Sequence, residues 1–598
     1  MKKRFSAALA LLLAAVLLSG CGLTDGIFGG LSGRVGEKIS QIVGMAEKEN
    51  GRNPDGLSFD EMVYSRPDVE KLSDDIAAVE SALESALESG EKLARVIELL
   101  DVCTDDYNDF STMYSLANIH NCHDLRDEYY ADEYAFCSEQ SAVVSQLFDE
   151  LYYACAGSKL GKKLEEEYFW DGFCEEYADP DDSYYNDVTV ALMQQESDLI
   201  SRYRDLMAEP TIEYRGKEVS FYEILDSLYG REYLDALRAY YEKYNEPLAE
   251  IYIELMRVRT AMAEEMGFES CEAMEYEFTF HRDYTPADGA RFVEDVKRYI
   301  VPLYERVSSD GVAHGADYSP LSSKKLYSIV SGIMNDIGGD CAEAFDFMSR
   351  YELYDIEPGL YKANSSFQTY LNNYECPFIF VNPGGTVEDV MTFVHEFGHY
   401  TDAYVNFDAD ETIDLAECFS QGLEYLSLWH MDGVLSKTQI AQLRTGKMID
   451  TLDTFVQQSS FADFESRAHA IGPDALSAEK LNELALQMAQ DYGYCTPGME
   501  EYMQYVWMDI THLFEYPFYV ISYPVSAEVA MQLYELELSE EGKGLEKYFE
   551  MMPRDYSTFM ETVTLCALES PFAEGRMKAL AEAIGVTLGY DDMLSAAA

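Results

Sequence analysis

Positive charge is what this 598-residue chain has least of: 43 Lys and Arg face 110 Asp and Glu, a formal net charge of -67. A phosphate backbone is held by clustered Lys and Arg, so the balance excludes nucleic acid as a partner. Long apolar runs are missing too. Beyond the first twenty residues no segment has the roughly 18 uninterrupted apolar residues that a membrane-spanning helix needs. No C-x-x-C pair occurs among the twelve cysteines, which argues against a structural zinc ribbon or a thioredoxin-like site. No fixed-period repeat supports a solenoid. Strand signal is scarce, and histidine is rare, nine in the whole chain. What is plentiful is core material: 47% of residues are hydrophobic and 13% aromatic, which excludes disorder of the whole chain. Most of the acidity reads as a solvated coat.

The start of the chain carries an address. Lys2, Lys3 and Arg4 precede an apolar stretch, Phe5 to Leu18, too short to span a bilayer comfortably. Leu18-Ser19-Gly20-Cys21 follows and looks like a bacterial lipobox. Residues 1–20 are therefore expected to be a lipoprotein signal peptide. Lipidated Cys21 would anchor the protein to the bacterial cell membrane on its extracytoplasmic side. Losing residues 1–20 removes three positive charges and no negative ones, deepening the net charge to -70. Residues 21–65, rich in Gly, Ser and polar residues, read as a tether with one helix candidate at Val35–Glu49. The other eleven cysteines are spread singly. Cys418 and Cys566 sit in apolar helical patterns and read as buried thiols. Pairing of Cys122 with Cys137 or Cys155 stays open.

From Asp68 to Leu206 apolar residues recur at helical spacing, as in Ile76, Val79, Leu83 and Leu87. This predicts an N-terminal helical region, 66–204. A second helical stretch runs from Ser220 to about Ser308, with Pro286 near a helix start. The clearest strand is Pro377-Phe378-Ile379-Phe380-Val381-Asn382, closed by Pro383-Gly384-Gly385. The predicted class is mostly α, with one small β-sheet beside the helix described next.

Thr386 to Asp389 reads as a helix start, with Thr386 as N-cap. Farther along comes His395-Glu396-Phe397-Gly398-His399. Histidines at i and i+4 share one helical face and can reach one metal ion. Glu396, rotated by about 100°, reaches a water rather than the metal. A catalytic zinc needs a third protein ligand and an open position. Residues 412–429 supply it. They are mostly apolar, yet Asp414, Glu417, Gln421 and Glu424 form one polar stripe. Buried carboxylates are costly without a cation or hydrogen bonds. Glu417 is the expected third ligand. Asp414 is expected to orient His395 or His399, and Glu424 to hold a neighbouring ligand or helix. His₂Glu favours one Zn²⁺ over other divalent ions.

HEFGH followed by D-L-A-E-C-F-S-Q-G-L-E resembles the oligoendopeptidase F and thimet oligopeptidase family of zinc metallopeptidases. Phe455 to Glu465 (FVQQSSFADFE) is similar to another helix of that family. His512 to Tyr523 (HLFEYPFYVISY) resembles its His/Tyr segment facing the zinc, and Ala263–Ser270 its helix-and-LGY element. The likeness covers about 205–590, the expected catalytic region. Three features depart from the pattern. The connection from His399 to Glu417 is short for thimet-like members. Lys362 to Tyr370 replaces a Gly-rich segment. The tyrosines after His512 are offset by about one residue, which leaves the choice among Tyr516, Tyr519 and Tyr523 open.

The resemblance implies a two-lobed helical metallopeptidase with a deep channel, hydrolysing short oligopeptides. Glu396 would be the base for zinc-bound water, and His512 and Tyr523, with Tyr519 in reserve, would stabilise the oxyanion. Phe378, Phe380 and Asn382 are expected to line a strand on which an extended substrate pairs. The expected partners are short peptides and, through Cys21, the membrane; the expected state is a monomer. Three alternatives remain: a lipid-anchored peptide-binding protein without catalysis, a purely structural lipoprotein, and a zinc protease acting on larger proteins.

Overall fold

The computed structural model describes residues 52–590 apart from 86–88, 181–182, 209, 222, 225–227, 312–319, 408–411 and 553–557. The expected signal peptide, Cys21 and most of the tether lie outside the described residues.

Four long helices, with shorter ones between, open the described part of the fold: α1 (Val69–Glu84), α2 (Ser89–His123), α3 (Glu128–Gly157) and α4 (Asp187–Ala208). Their starts follow capping chemistry. Asp68 accepts from the Lys71 N–H (2.9 Å), and Asp127 from the Tyr129 N–H (3.0 Å). The tether gives way earlier than residue 65. Arg52 donates to the Tyr404 carbonyl and lies over the Tyr404 and Phe407 rings, and Phe59 packs on Phe378 with ring centroids 4.1 Å apart. Residues 52–65 thus belong to the packed body.

A hairpin, β1 (Thr211–Tyr214) with β2 (Lys217–Ser220), follows α4, where the sequence pattern predicts no second sheet. Its turn, Arg215-Gly216, has positive φ at both positions, as two-residue hairpins require. Next come α5 (Arg231–Glu265) and α6 (Pro286–Tyr299), the latter with Pro at its first position and a Thr285–Asp288 capping box.

The sheet near the chemistry has β3 (Tyr354–Asp355), β4 (Ser366–Leu371) and β5 (Cys376–Val381) in the order β3-β5-β4. β5 runs parallel to β3 and antiparallel to β4, with Phe367 opposite Phe380 and Thr369 opposite Phe378. All six β5 residues are buried. This corrects the substrate-strand assignment, because β5 is a central strand whose backbone is already paired on both sides. Phe378 packs on Phe59 and Phe380 on Phe367. Asn382 ties down the turn before β4, accepting from the Gly359 N–H (3.1 Å) and donating to the Ala363 carbonyl (3.2 Å). The edge strands are β3 and β4, and β4 falls almost wholly within the segment that replaces the Gly-rich stretch.

Against this sheet packs α7 (Asp389–Asn406), which crosses α8 (Ile413–Ser427). Farther on lie α9 (Lys437–Asp453), α10 (Ser459–Ile471), the short α11 (Thr511–Glu515) and α12 (Ser522–Ser539), which packs along α8. None of the eleven described cysteines is in a disulfide, and Cys418 and Cys566 are buried. No helix among the described residues is long and apolar enough to cross a membrane.

The α7–α8 crossing rests on Gly398. A Cβ there would lie 2.5 Å from Ser420 Cα and 2.6 Å from the Phe419 carbonyl oxygen, both backbone atoms that cannot swing aside. Gly398→Ala should therefore push the helices apart and cost about 1–3 kcal/mol or more. Thermal unfolding reads this as a lower midpoint; an unchanged midpoint would show that the crossing has slack.

Candidate metal centre

The strand-to-helix connection is stiff. α7 begins at Asp389 rather than at Thr386, and the Asp389 carboxylate accepts from the Gly384 (2.9 Å) and Thr386 (2.7 Å) N–H groups. The loop after β5 is thereby stitched to the helix that carries both histidines.

His395, His399 and Glu417 each offer a ligand atom, and these atoms lie within 4.8 Å of one another; no other such group occurs among the described residues. His395 Nε2 is 3.7 Å from Glu417 Oε2, and the two imidazole centroids are 5.1 Å apart at 80°. Glu417 is fully buried. The Tyr519 hydroxyl donates to its Oε1 (3.1 Å) and the Ser420 hydroxyl to its Oε2 (3.1 Å). Burial nevertheless pushes the Glu417 carboxyl above its ordinary range, against the pull of His395 and these hydrogen bonds.

His395 is held from behind. Its Nδ1–H donates to Glu424 Oε1 (2.9 Å), leaving Nε2 to face the cluster, and Lys447 Nζ donates to Glu424 Oε2 (2.7 Å). Burial would lower the His395 pKa. The Glu424 hydrogen bond and the charges of Glu417, Glu424 and Glu396 instead hold it up at about 9. Burial and the nearby His395 drive His399 far down. Two imidazoles and one buried, under-compensated carboxylate converging from two helices fit a divalent cation. Glu396, 2% exposed, follows His395 on α7, and its charge acts on that imidazole.

Asp414 does not touch either histidine, which corrects its expected role. Its Oδ1 accepts from the Tyr284 hydroxyl (2.9 Å) and its Oδ2 from Arg282 Nε (3.3 Å). Arg282 and Asp414 are both wholly buried, so removing one partner alone would cost about 3–5 kcal/mol. Glu424 is the carboxylate that orients His395. Sequence reasoning misses Lys447, Arg282 and Tyr284. Their only signal is the need of the buried stripe for cations, which says nothing of where in the chain those cations lie.

Facing the ligand helix, the turn after α11 gathers four rings. His512 Nε2 and the Tyr523 hydroxyl are 3.2 Å apart, and the Tyr519 ring stacks on His512 with centroids 5.2 Å apart. Tyr516 sits at the rim, 6.3 Å from both His512 and Tyr519 by centroid. Burial lowers the His512 pKa to about 4, so its ring is neutral at neutral pH. Tyr519, expected in reserve for an oxyanion, is engaged with Glu417.

HExxH and a glutamate from the next helix, held by hydrogen-bonded carboxylate and tyrosine partners, define a metallopeptidase-type centre. Comparison with known proteins agrees. The chain matches the peptidase M3 N-terminal domain over residues 59–173 and peptidase family M3 over residues 350–560. It is 26% identical to an oligoendopeptidase F homolog of Lactococcus lactis subsp. lactis (strain IL1403) over 268 residues, 40% of this chain and 43% of that protein. To the group B oligopeptidase PepB of Streptococcus agalactiae serotype III (strain NEM316) it is 24% identical over 193 residues, 30% of this chain and 32% of that protein. The aligned stretches thus span less than half of these curated relatives. Among solved structures, PZ peptidase A with inhibitor 2 shares the fold at a TM-score of 0.76 and 23% identity, over 90% of this chain and 100% of that one. The chain belongs to peptidase family M3. The N-terminal match begins at Phe59, so the likeness reaches well before residue 205, the start expected from the motifs.

Glu424→Ala should weaken metal binding by roughly 10–100-fold, the usual effect of losing a partner behind a ligand histidine; equilibrium dialysis showing parent affinity would contradict this. A second outcome concerns pH. Without metal, the His395 proton is held at about 9 against about 6.5 when unfolded, so the stability it lends is complete below pH 6.5 and is lost as pH rises through 9. Glu465, pushed up to about 8 by burial, loses stability in the same direction. The part of the His395 share that Glu424 supplies is therefore the difference between parent and Glu424→Ala. Melting in chelator from pH 6.5 to 9 should show a steeper fall in the parent, and parallel curves would contradict the assignment.

Proposed function

We propose that this chain is a zinc-dependent endopeptidase that hydrolyses short oligopeptides outside the cytoplasm, tethered to the cell membrane through lipidated Cys21. The observation that carries the catalytic reading is the convergence of His395, His399 and Glu417, with Glu396 beside them on α7. Membership of peptidase family M3 and the likeness to an oligoendopeptidase F homolog support it.

Zinc held by His395, His399 and Glu417 would supply a Lewis acid that polarises a peptide carbonyl and acidifies water. The chain's own groups do the rest. The Glu396 carboxylate takes the proton of the attacking water and returns it to the departing amine. The Tyr523 hydroxyl, 3.2 Å from neutral His512, donates with that ring to the developing oxyanion. Tyr519 keeps the Glu417 carboxylate in place. An extended peptide adds to the sheet at β4, the longer of its two edge strands, and main-chain pairing of this kind reads few side chains.

Digestion of a mixed peptide library, read by mass spectrometry, tests this reading. The parent should cleave short peptides, leave casein largely intact, lose activity in chelator and regain it with zinc. Glu396→Gln should keep its metal and lose about 10²–10⁴-fold in kcat, the range for a general base. Chelator-resistant cleavage, or a fully active Glu396→Gln variant, would overturn it. A parent that binds peptides and zinc without cutting would favour a binding protein.

A further inference from the structure

Phe455 to Glu465 stands out in the sequence, yet neither the metal centre nor the proposed mechanism uses it. Its last residue, Glu465, is 1% exposed on α10 and accepts the Phe518 N–H at Oε2 (2.8 Å). Arg282 takes the other side of the same residue: its Nη2 donates to the Phe518 carbonyl (3.0 Å) and to the Ser522 hydroxyl (2.7 Å). Phe518 is therefore held by its N–H and its carbonyl at once, from two different elements.

The held residue is an unfavourable one. Phe518 has φ +58°, a left-handed conformation that a residue with a side chain avoids. It occupies the third position of a turn whose second is Pro517 and whose closing bond runs from the Tyr519 N–H to the Tyr516 carbonyl (3.3 Å). Such turns normally place Gly or Asn there. The turn lies between the two site tyrosines and His512. Tyr519, the next residue, donates to Glu417, and Tyr523, one helical turn later, meets His512. The His512 side is anchored separately, since Arg259 donates to the Leu513 (3.0 Å) and Phe514 (2.6 Å) carbonyls. The tyrosine side depends on Glu465 and Arg282. Each lies a few residues beyond a π-helical turn, Thr454–Gln458 and Glu275–Thr279, a local rewinding common at functional sites. Arg282 also binds Asp414, one turn before Glu417 on α8, so a single guanidinium touches both the tyrosine turn and the ligand helix.

We propose that Arg282 and Glu465 are positioning residues of the reaction centre, clamping the Phe518 peptide so that Tyr519 stays on Glu417 and Tyr523 on His512. The kinetic part of this rests on the peptidase reading above; the metal-retention part rests only on zinc binding at the metal centre. Neither residue is among the three candidate metal ligands. Each acts through the turn.

The full-length parent, Glu465→Ala, Glu465→Gln and Arg282→Met are compared by kcat and KM on a quenched short peptide, by the rate at which bound zinc passes to a chelator, and by unfolding midpoint. Glu465→Ala should lower kcat and speed zinc loss by about tenfold or more, with KM within about twofold. Glu465→Gln keeps an acceptor oxygen for the Phe518 N–H and should restore both values to within about threefold of the parent. Arg282→Met should show the larger loss; if it does not fold, the Glu465 pair decides alone. A folded Glu465→Ala with parent kcat and zinc exchange overturns the proposal, as does a Glu465→Gln no better than Glu465→Ala. If the parent holds zinc but cuts no peptide, the peptidase reading fails by itself, and the zinc-exchange rates judge the clamp. A parent that holds no zinc overturns both.

Discussion

The close crossing of two helices governs the rest of this structure. Gly398 lets α7 come so near α8 that Glu417 is shut away from water directly opposite His395 and His399. A carboxylate in that position requires positive charge across from it and hydrogen bonds around it. The neighbourhood answers with two imidazoles, a tyrosine hydroxyl, a serine hydroxyl and a glutamine amide. The same demand one turn before and two turns after is met by Arg282 on Asp414 and by Lys447, with His395, on Glu424.

The charge deficit of the chain takes a different meaning beside that crossing. Only 43 basic residues are available against 110 acidic ones, yet Arg282, Arg259 and Lys447 are buried beside the site rather than left on the surface. Scarce cations stand where a carboxylate or a carbonyl must be held at a fixed place. The acidic coat asks for none, because water already solvates it.

Several parts of the site are legible in the amino-acid sequence because they are local. The spacing of His395 and His399 is a property of one helix, and the polar stripe on an apolar segment is a property of another. Which carboxylate of the stripe faces His395 is a property of the crossing. Asp414 and Glu424 both lie on the stripe, and only the contact of Gly398 with Ser420 decides that Glu424 reaches the imidazole. Lys447, Arg282 and Glu465 are out of reach for the same reason. Each comes from a segment whose meeting with the site is set by packing. The strand is visible in the sequence, but its place in the sheet is not a substrate-pairing edge. An apolar run with no polar alternation, Pro377 to Val381, signals burial on both faces and therefore a central strand. The hairpin β1–β2 escapes notice because its strands are short and largely polar.

The central claim is that a zinc ion sits between α7 and α8 on three named side chains. Anomalous diffraction from crystals of the zinc-loaded protein, recorded on both sides of the zinc absorption edge, tests it most directly. The account predicts one strong peak per chain, bounded by His395 Nε2, His399 and a Glu417 oxygen, with Glu424 still on His395 Nδ1. A peak elsewhere, or none between these residues in crystals that hold zinc, would contradict it.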